Sequence, residues 1–352
     1  MGRHRSRLRI LVGILKDKSS ILKSFLISPA KPKLRLAILR ATSHAAASPP
    51  SDRSISGVLS LGGHGSRRTA GTCIESLMDR LHATKSAYVA IKCLFTVHAV
   101  LTKGSFILKD QLSVYPASGG RNSLNLSKFR DGSDPESWEL SSWVRWYAAV
   151  IEQNLAVSRT LGRFLSAAAA GGGGKEEAIL EKGNGDLITE VGILVDFAQL
   201  VCEAPNSLQL QKNDLVYEVV KSVGEDYRLV QREILIRVGE FRDRKLRSLS
   251  FGELTRLVGE LRRLEGCRER LSLLFVIGKR NDALWEAVAE TVKEISEAVM
   301  EKDEMKRLVP AATAVRLGNW MPAAARTGSI ELGRVEAARS GSTNGGGSID
   351  WL

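Results

Sequence analysis

Apolar residues recur at intervals of three and four positions along most of this chain, which is the spacing of amphipathic α-helices. The clearest run begins after Asp134-Pro135, a cap residue and a proline that are typical of a helix start. Its apolar positions are Leu140, Trp143, Val144, Tyr147, Val150, Ile151, Leu161, Phe164 and Leu165. The same spacing occurs in residues 73–101, 187–202, 213–241, 251–275 and 283–309. Because the sequence lacks alternating segments joined by hairpin turns, the pattern predicts an all-α fold.

Three segments interrupt this helical pattern. Residues 48–65 are rich in Gly, Pro and Ser, residues 166–185 contain AAAAGGGGKEE, and the periodicity fades near residue 310. We predict an N-terminal helical part in residues 1–165, a flexible Ala/Gly linker in 166–185, and a C-terminal long-helix part of the same domain in 186–310. Residues 311–352 are predicted to be a disordered tail. Short helices connected in this way should stack in sequence as a solenoid-like array, because none buries a face alone.

Positive charge is concentrated at the N-terminal end of the chain. Residues 1–68 contain 14 of the 51 Lys and Arg residues and two of the 39 Asp and Glu residues, so their net charge is +12. The remaining residues hold 37 of each kind and sum to zero. Such an uneven distribution is typical of a segment that binds an acidic partner. We consider three partners: an anionic membrane surface, a nucleic acid and an organelle import receptor.

The two alternatives to a membrane each have some support. The density of Lys and Arg suits a nucleic acid, but Phe25 is the only aromatic residue before Tyr88 that could stack on a base. The first 33 residues are rich in Arg and Ser and contain a single acid, as transit peptides do. Against this, the apolar spacing continues into the helices that follow. Residues 1–6 also satisfy the loose pattern for myristoylation of Gly2.

Neither composition nor motifs point to an enzyme or a membrane-spanning protein. The sequence has no run of about 18 apolar residues and no Walker, GxGxxG, HExxH or GxSxG motif. All five histidines precede residue 100, and we interpret His82 and His98 as structural residues of helices. We predict no catalysis, no cofactor and no metal. The four cysteines are far apart and are interpreted as buried free thiols in a reducing cytosol: Cys73, Cys93, Cys202 and Cys267.

The basic end contains a candidate site for phosphorylated headgroups. Residues 3–23 combine charge with an apolar stripe that extends to Phe25, which suits either a helix at a membrane interface or a first core helix. A second helix is predicted over residues 34–44, where Lys33, Arg40 and His44 are spaced by seven and four residues and share one face. Arg53 follows after the Pro-rich loop. A helix end and a following loop that present several cations form a pocket for multiply phosphorylated headgroups.

Four segments of the sequence resemble the ANTH-domain clathrin assembly proteins, in particular their short plant branch. These segments are LVGILKDKSSILKS (11–24), LAILRATSHAAASPPSDRSI (36–55), LNLSKFRDGSDPESWELSSWVRWYAAVIEQNL (124–155) and VGEDYRLVQREILIRVGEF (223–241). The third segment is the most specific, and the resemblance covers roughly residues 1–300. It implies a right-handed stack of about 9–11 α-helices. It also implies a protein that binds phosphatidylinositol 4,5-bisphosphate, recruits clathrin and takes part in endocytic coat assembly.

The lipid-binding pattern of that family is present only in part. Its first Lys corresponds to Arg40, in Arg40-Ala41-Thr42-Ser43-His44, and its three positions after the proline correspond to Ser51, Arg53 and Ser54. Two of the four positions therefore lack the family's residue type, and the loop contains one extra residue. The predicted phosphoinositide-binding residues are Lys31, Lys33, Arg40, His44 and Arg53, with Lys31, Lys33 or His44 compensating for the two serines.

The resemblance also implies partners and a location. The expected partners are an anionic phosphoinositide membrane and clathrin heavy chain, and further candidates are vesicle SNAREs and adaptor appendages. The expected location is the cytoplasmic face of the plasma membrane, in clathrin-coated pits and vesicles, with the Golgi as a second candidate. In the tail, Asp350, Trp351 and Leu352 faintly resemble an adaptor- or clathrin-binding peptide. We predict a non-enzymatic endocytic adaptor; the alternative is a basic helical nucleic-acid-binding protein.

Overall fold

The computed structural model of the chain confirms the all-α prediction, since the residues that it describes form helices, turns and loops without a strand. The described residues are 12–13, 15, 18–19, 32–44, 48–63, 66–116, 123–168, 179, 181–206, 210, 213–272, 274 and 282–318.

The described helices are α1 (Pro32–Ala41), α2 (Asp52–Gly63), α3 (Arg67–Ala83), α4 (Ala87–Lys103), α5 (Phe106–Ser113), α6 (Pro135–Leu161), α7 (Leu165–Ala168), α8 (Asn184–Cys202), α9 (Asp214–Glu240), α10 (Phe251–Glu265), α11 (Arg268–Ser272) and α12 (Asp282–Gly318). A π-helical turn (Phe241–Lys245) and a short 3-10 helix (Leu246–Ser248) follow α9. Ten of these α-helices have eight residues or more, in agreement with the predicted number.

Helices that are close in sequence pack against one another, as in the predicted stack. Helix α1 packs on α2, α2 on α3, α3 on α4 and α5, and α8 on α6, α9 and α10. Helix α4 lies in the interior, because thirteen of its seventeen residues are buried. The helix that the sequence predicted most clearly, α6, begins where expected: the Asp134 carboxylate accepts a 2.7 Å hydrogen bond from the Ser137 N–H, and Pro135 occupies the first turn. It ends at Gly162, whose φ of 68° favours glycine.

One buried polar cluster joins α4, α6 and α9. The two ring nitrogens of His98 lie 2.8 Å from the Tyr147 hydroxyl and 2.8 Å from Asp226 Oδ2. The Asn154 amide donates to the same carboxylate oxygen at 2.5 Å. All four side chains are buried. His98 is therefore a structural residue with both nitrogens satisfied, as predicted.

A second buried cluster consists of opposite charges on α8 and α9. The guanidinium of Arg237, which is 1% exposed, contacts Glu190 at 2.7 Å and Glu233 at 2.8 Å. Each carboxylate has another cationic partner, Lys182 for Glu190 and Arg163 for Glu233. Isolated buried charges are strongly unfavourable, so this cluster depends on every member being paired.

The chain divides into two compact units, residues 1–303 and 304–352. Of the second unit the structure describes only the helical residues 304–318, which form the end of α12. The helix thus extends eight residues into the segment 311–352 that the sequence assigned to a tail, where an Ala-rich stretch has high helix propensity. The tail tip, Asp350 to Leu352, lies outside the described residues.

The predicted linker, residues 166–185, is described only in part. Its first residues complete α7 and Ile179 is buried, whereas 169–178 are not described.

Candidate phosphoinositide site

Half-buried Arg80 and buried Lys92 hold the C-terminal end of α1. The last carbonyl groups of a helix lack partners within the helix and attract positive charge. Here the Arg80 guanidinium donates to the carbonyl of Thr42 at 3.2 Å, and the Lys92 ammonium donates to the carbonyl of Ser43 at 3.2 Å. Thr42 is fully buried, and its hydroxyl donates to the carbonyl of Ile38 at 2.7 Å. These contacts fix the backbone that leads to His44.

A serine caps the N-terminal end of α2. The N–H of Ser54 donates to Ser51 Oγ at 3.3 Å, and the two serine hydroxyls lie 2.9 Å apart. The buried side chains of Ile55 and Val58 anchor the first turns of the helix in the core. Ser51 and Ser54, which the sequence places at two positions of the expected lipid-binding pattern, thus form a helix cap, which is a common use of serine.

The predicted cations lie on both sides of the connection between these helices. Arg40, in the last turn of α1, and Arg53, in the first turn of α2, are both exposed. Neither side chain forms an ion pair or a hydrogen bond within the described part of the chain. Lys33 is also exposed, but it lies two turns before Arg40, about 10 Å away along the helix axis. Lys31 lies outside the described residues.

His44 is half-buried, and part of its surroundings comes from the N-terminal segment of the chain. Gly13 is buried against it so closely that a Cβ at position 13 would lie 2.6 Å from the Cβ of His44. Only a glycine fits this contact without a shift. The neighbouring apolar side chains, Val12 and Leu15, are 49% and 64% exposed. Most of the helix predicted over residues 3–23 lies outside the described residues.

A cavity of about 500 Å³ opens beside the N-terminal end of α2. Its lining includes Ser51 and Asp52 of that end, Thr102 and Lys103 of α4, and Glu218 of α9. The buried His98 also borders the cavity. The cavity therefore marks a solvent-accessible recess where the start of α2 approaches the end of α4.

The sequence alone did not identify Lys92 as a residue that positions the site. Its signal was a lysine in the middle of the mostly apolar helix α4, where a 2% exposed side chain needs a polar partner. That partner is a carbonyl group distant in sequence, so the pattern indicates an unusual lysine but not its function.

Burial raises the pKa of the neighbouring Cys93 thiol to about 12. All four cysteines are buried and free.

Other site classes find no support in the described part of the chain. No helix there is both long and apolar enough to cross a membrane. The described residues also contain no group of three or more His, Cys, Asp or Glu side chains placed to hold a metal ion.

Comparison with known proteins agrees with this fold. The family model described as "ANTH domain" matches residues 33–199, which include α1, α2 and their connection. The Arabidopsis thaliana protein named "Putative clathrin assembly protein At4g40080" is 44% identical over 268 residues, covering 74% of this chain and 73% of its own length. A second, "Putative clathrin assembly protein At5g10410" from the same plant, is 29% identical over 87% of this chain and 90% of its own length.

The matched residues therefore form an ANTH domain. The chain belongs to the ANTH-domain clathrin assembly protein family.

Proposed function

We propose that this protein is a peripheral membrane adaptor that binds phosphoinositide headgroups through Arg40 and Arg53 and takes part in clathrin coat assembly. The observation that carries the proposal is the position of these two side chains. Both are exposed, neither forms an ion pair with a described acidic residue, and both flank a connection whose backbone accepts hydrogen bonds from half-buried Arg80 and buried Lys92. Membership in a family whose relatives are named for clathrin assembly supports the coat function.

The start of α2 adds to the attraction of a phosphorylated headgroup. Helix N-termini favour anions because their first N–H groups point outward and the helix dipole is positive there. One such N–H group, that of Ser54, already donates to Ser51, so the guanidinium groups supply most of the binding. Each cation near an anionic leaflet contributes about 1 kcal/mol, which makes the attachment reversible and sensitive to salt.

The identity of the coat partners remains a prediction from the family. Clathrin heavy chain is the first candidate, followed by adaptor appendages and vesicle SNAREs, at plasma-membrane coated pits or at the Golgi. Asp350, Trp351 and Leu352 are our candidate residues for the clathrin or adaptor contact.

Binding of the full chain to vesicles tests the lipid proposal. With vesicles of phosphatidylcholine and phosphatidylserine, addition of phosphatidylinositol 4,5-bisphosphate should increase the bound fraction several-fold at about 0.15 M salt, where long-range surface electrostatics are partly screened. Excess structured RNA should displace little of the protein from these vesicles. Equal binding with and without the phosphoinositide, together with full displacement by RNA, would instead support the nucleic-acid-binding alternative.

A further inference from the structure

Helix α5 and the residue after it expose apolar side chains and turn charged ones toward the protein. Phe106 is 74% exposed, Ile107 is 37% exposed and Val114 is 48% exposed. Two other apolar residues, Leu108 and Leu112, are buried and attach the helix to the core. A surface helix normally presents its polar residues to water, so the exposed apolar set marks an interaction surface.

The charged residues of α5 are occupied by contacts with neighbouring helices. The Lys109 ammonium donates to the Ser166 hydroxyl at 2.7 Å and lies 5.6 Å from the centre of the Phe164 ring. Asp110 forms a 3.1 Å ion pair with Arg67 at the start of α3. These contacts fix the rotation of the helix about its axis. Phe106 is therefore held at the surface and is not free to turn inward.

This apolar surface is close to the proposed headgroup site. Thr102 and Lys103, at the end of α4, line the same cavity as Ser51 and Asp52 at the start of α2. Phe106 follows Lys103 by three residues, so their Cα atoms are at most about 10 Å apart. Helix α5 also packs directly on α2 and α3.

The charges around the surface favour a membrane as its partner. Lys103 is exposed, and the Arg67 side chain is 72% exposed although it pairs with Asp110, so positively charged groups accompany the apolar residues. A stable protein interface buries about 800 Å² on each partner, which is far more than two or three side chains provide. An apolar pair flanked by cations instead suits the boundary between anionic headgroups and acyl chains.

We propose that Phe106 and Ile107 form an apolar wedge that enters the lipid bilayer while the neighbouring cations bind headgroups. This inference rests on the proposed phosphoinositide-binding function and adds to it a contact with the acyl region. The wedge supplies affinity that salt does not screen, whereas the cations supply affinity that salt does screen.

The test compares Phe106→Ser/Ile107→Ser with a matched control, Trp138→Ser. Trp138 is 55% exposed, but its neighbours in sequence are the exposed carboxylates Glu136 and Glu139, which an anionic membrane repels. The probes are vesicles containing phosphatidylinositol 4,5-bisphosphate and, separately, soluble inositol 1,4,5-trisphosphate. We expect the double variant to bind vesicles about tenfold more weakly, with unchanged affinity for the soluble headgroup. The control should match wild type with both probes.

The possible outcomes separate this proposal from the proposed function. If wild type binds both probes and the double variant binds vesicles equally well, the wedge is refuted and the headgroup site stands. If the double variant retains vesicle binding but loses self-association in sedimentation, α5 is a contact between copies of the chain and the wedge is again refuted. If wild type binds neither probe, both proposals fail.

Discussion

Replacing Arg237 with Met is expected to lower the free energy of unfolding by about 3–5 kcal/mol. The guanidinium is buried between Glu190 and Glu233, and its removal leaves two carboxylates with one cationic partner each in a dry interior. Methionine fills much of the same volume, so the loss reflects uncompensated charge more than a cavity. Urea unfolding followed by circular dichroism measures the effect.

An exposed arginine on the same half of the chain provides the control. Arg262→Met on α10 should change the free energy of unfolding by no more than about 0.5 kcal/mol. Equal stability of the Arg237→Met variant and wild type would show that the buried cluster contributes nothing to the fold.

The effect of Arg237→Met should depend on pH. Burial opposes ionisation of Glu233, but hydrogen bonds from Arg163 and Arg237 outweigh it and hold the pKa of this carboxyl below its ordinary value. A group whose pKa is lowered by folding stabilises the fold above its unfolded pKa, and this contribution is lost as the pH falls through the folded value. The stability difference between wild type and variant should therefore be largest near neutral pH and shrink below about pH 4.

The second large effect is expected for Asp226→Leu, with a loss of about 2–4 kcal/mol. Asp226 accepts hydrogen bonds from His98 and Asn154, which lie on two other helices. A leucine of similar size leaves both donors buried without an acceptor. Burial is the main cause that raises the pKa of Tyr147 well above its usual value, and the charge of Asp226 adds to it. Because burial persists in the variant, the tyrosine stays protonated and cannot replace the lost carboxylate.

The neighbouring residue on α9 is the natural control for that substitution. Glu225 is exposed, and Glu225→Leu should leave the free energy of unfolding within about 0.5 kcal/mol of wild type. If both variants unfold at the same denaturant concentration, the buried cluster is not a structural link between the helices.

The helices were predictable because their apolar faces repeat locally along the chain. The start of α6 followed from Asp134 and Pro135 alone, and both have the expected roles. The most specific sequence segment also proved to be structural in part: Asp131 accepts a 2.8 Å hydrogen bond from the N–H of Ala87 and so supports the start of α4. Such residues carry a family resemblance because several helices depend on them.

The partners of buried charges were not predictable in the same way. The contact between His98 and Asp226 joins residues 128 positions apart, and that between Glu190 and Arg237 joins residues 47 apart. A carboxylate on an amphipathic helix has the same sequence signature whether it meets water or a buried guanidinium. The exposure of Phe106 and Ile107 on α5 was hidden for the same reason, since the rotation of this helix is set by contacts with Ser166 and Arg67.

The central claim, that Arg40 and Arg53 bind the headgroup, is tested most directly by replacing both with Ala. Soluble headgroup affinity and binding to phosphatidylinositol 4,5-bisphosphate vesicles should each fall about tenfold, which corresponds to about 1.4 kcal/mol of charge-assisted contacts. The control Arg256→Ala/Arg262→Ala removes the same charge from exposed positions of α10 and should bind as wild type does. If the Arg40/Arg53 variant keeps its circular dichroism spectrum and binds as tightly as this control, the headgroup site lies elsewhere on the molecule.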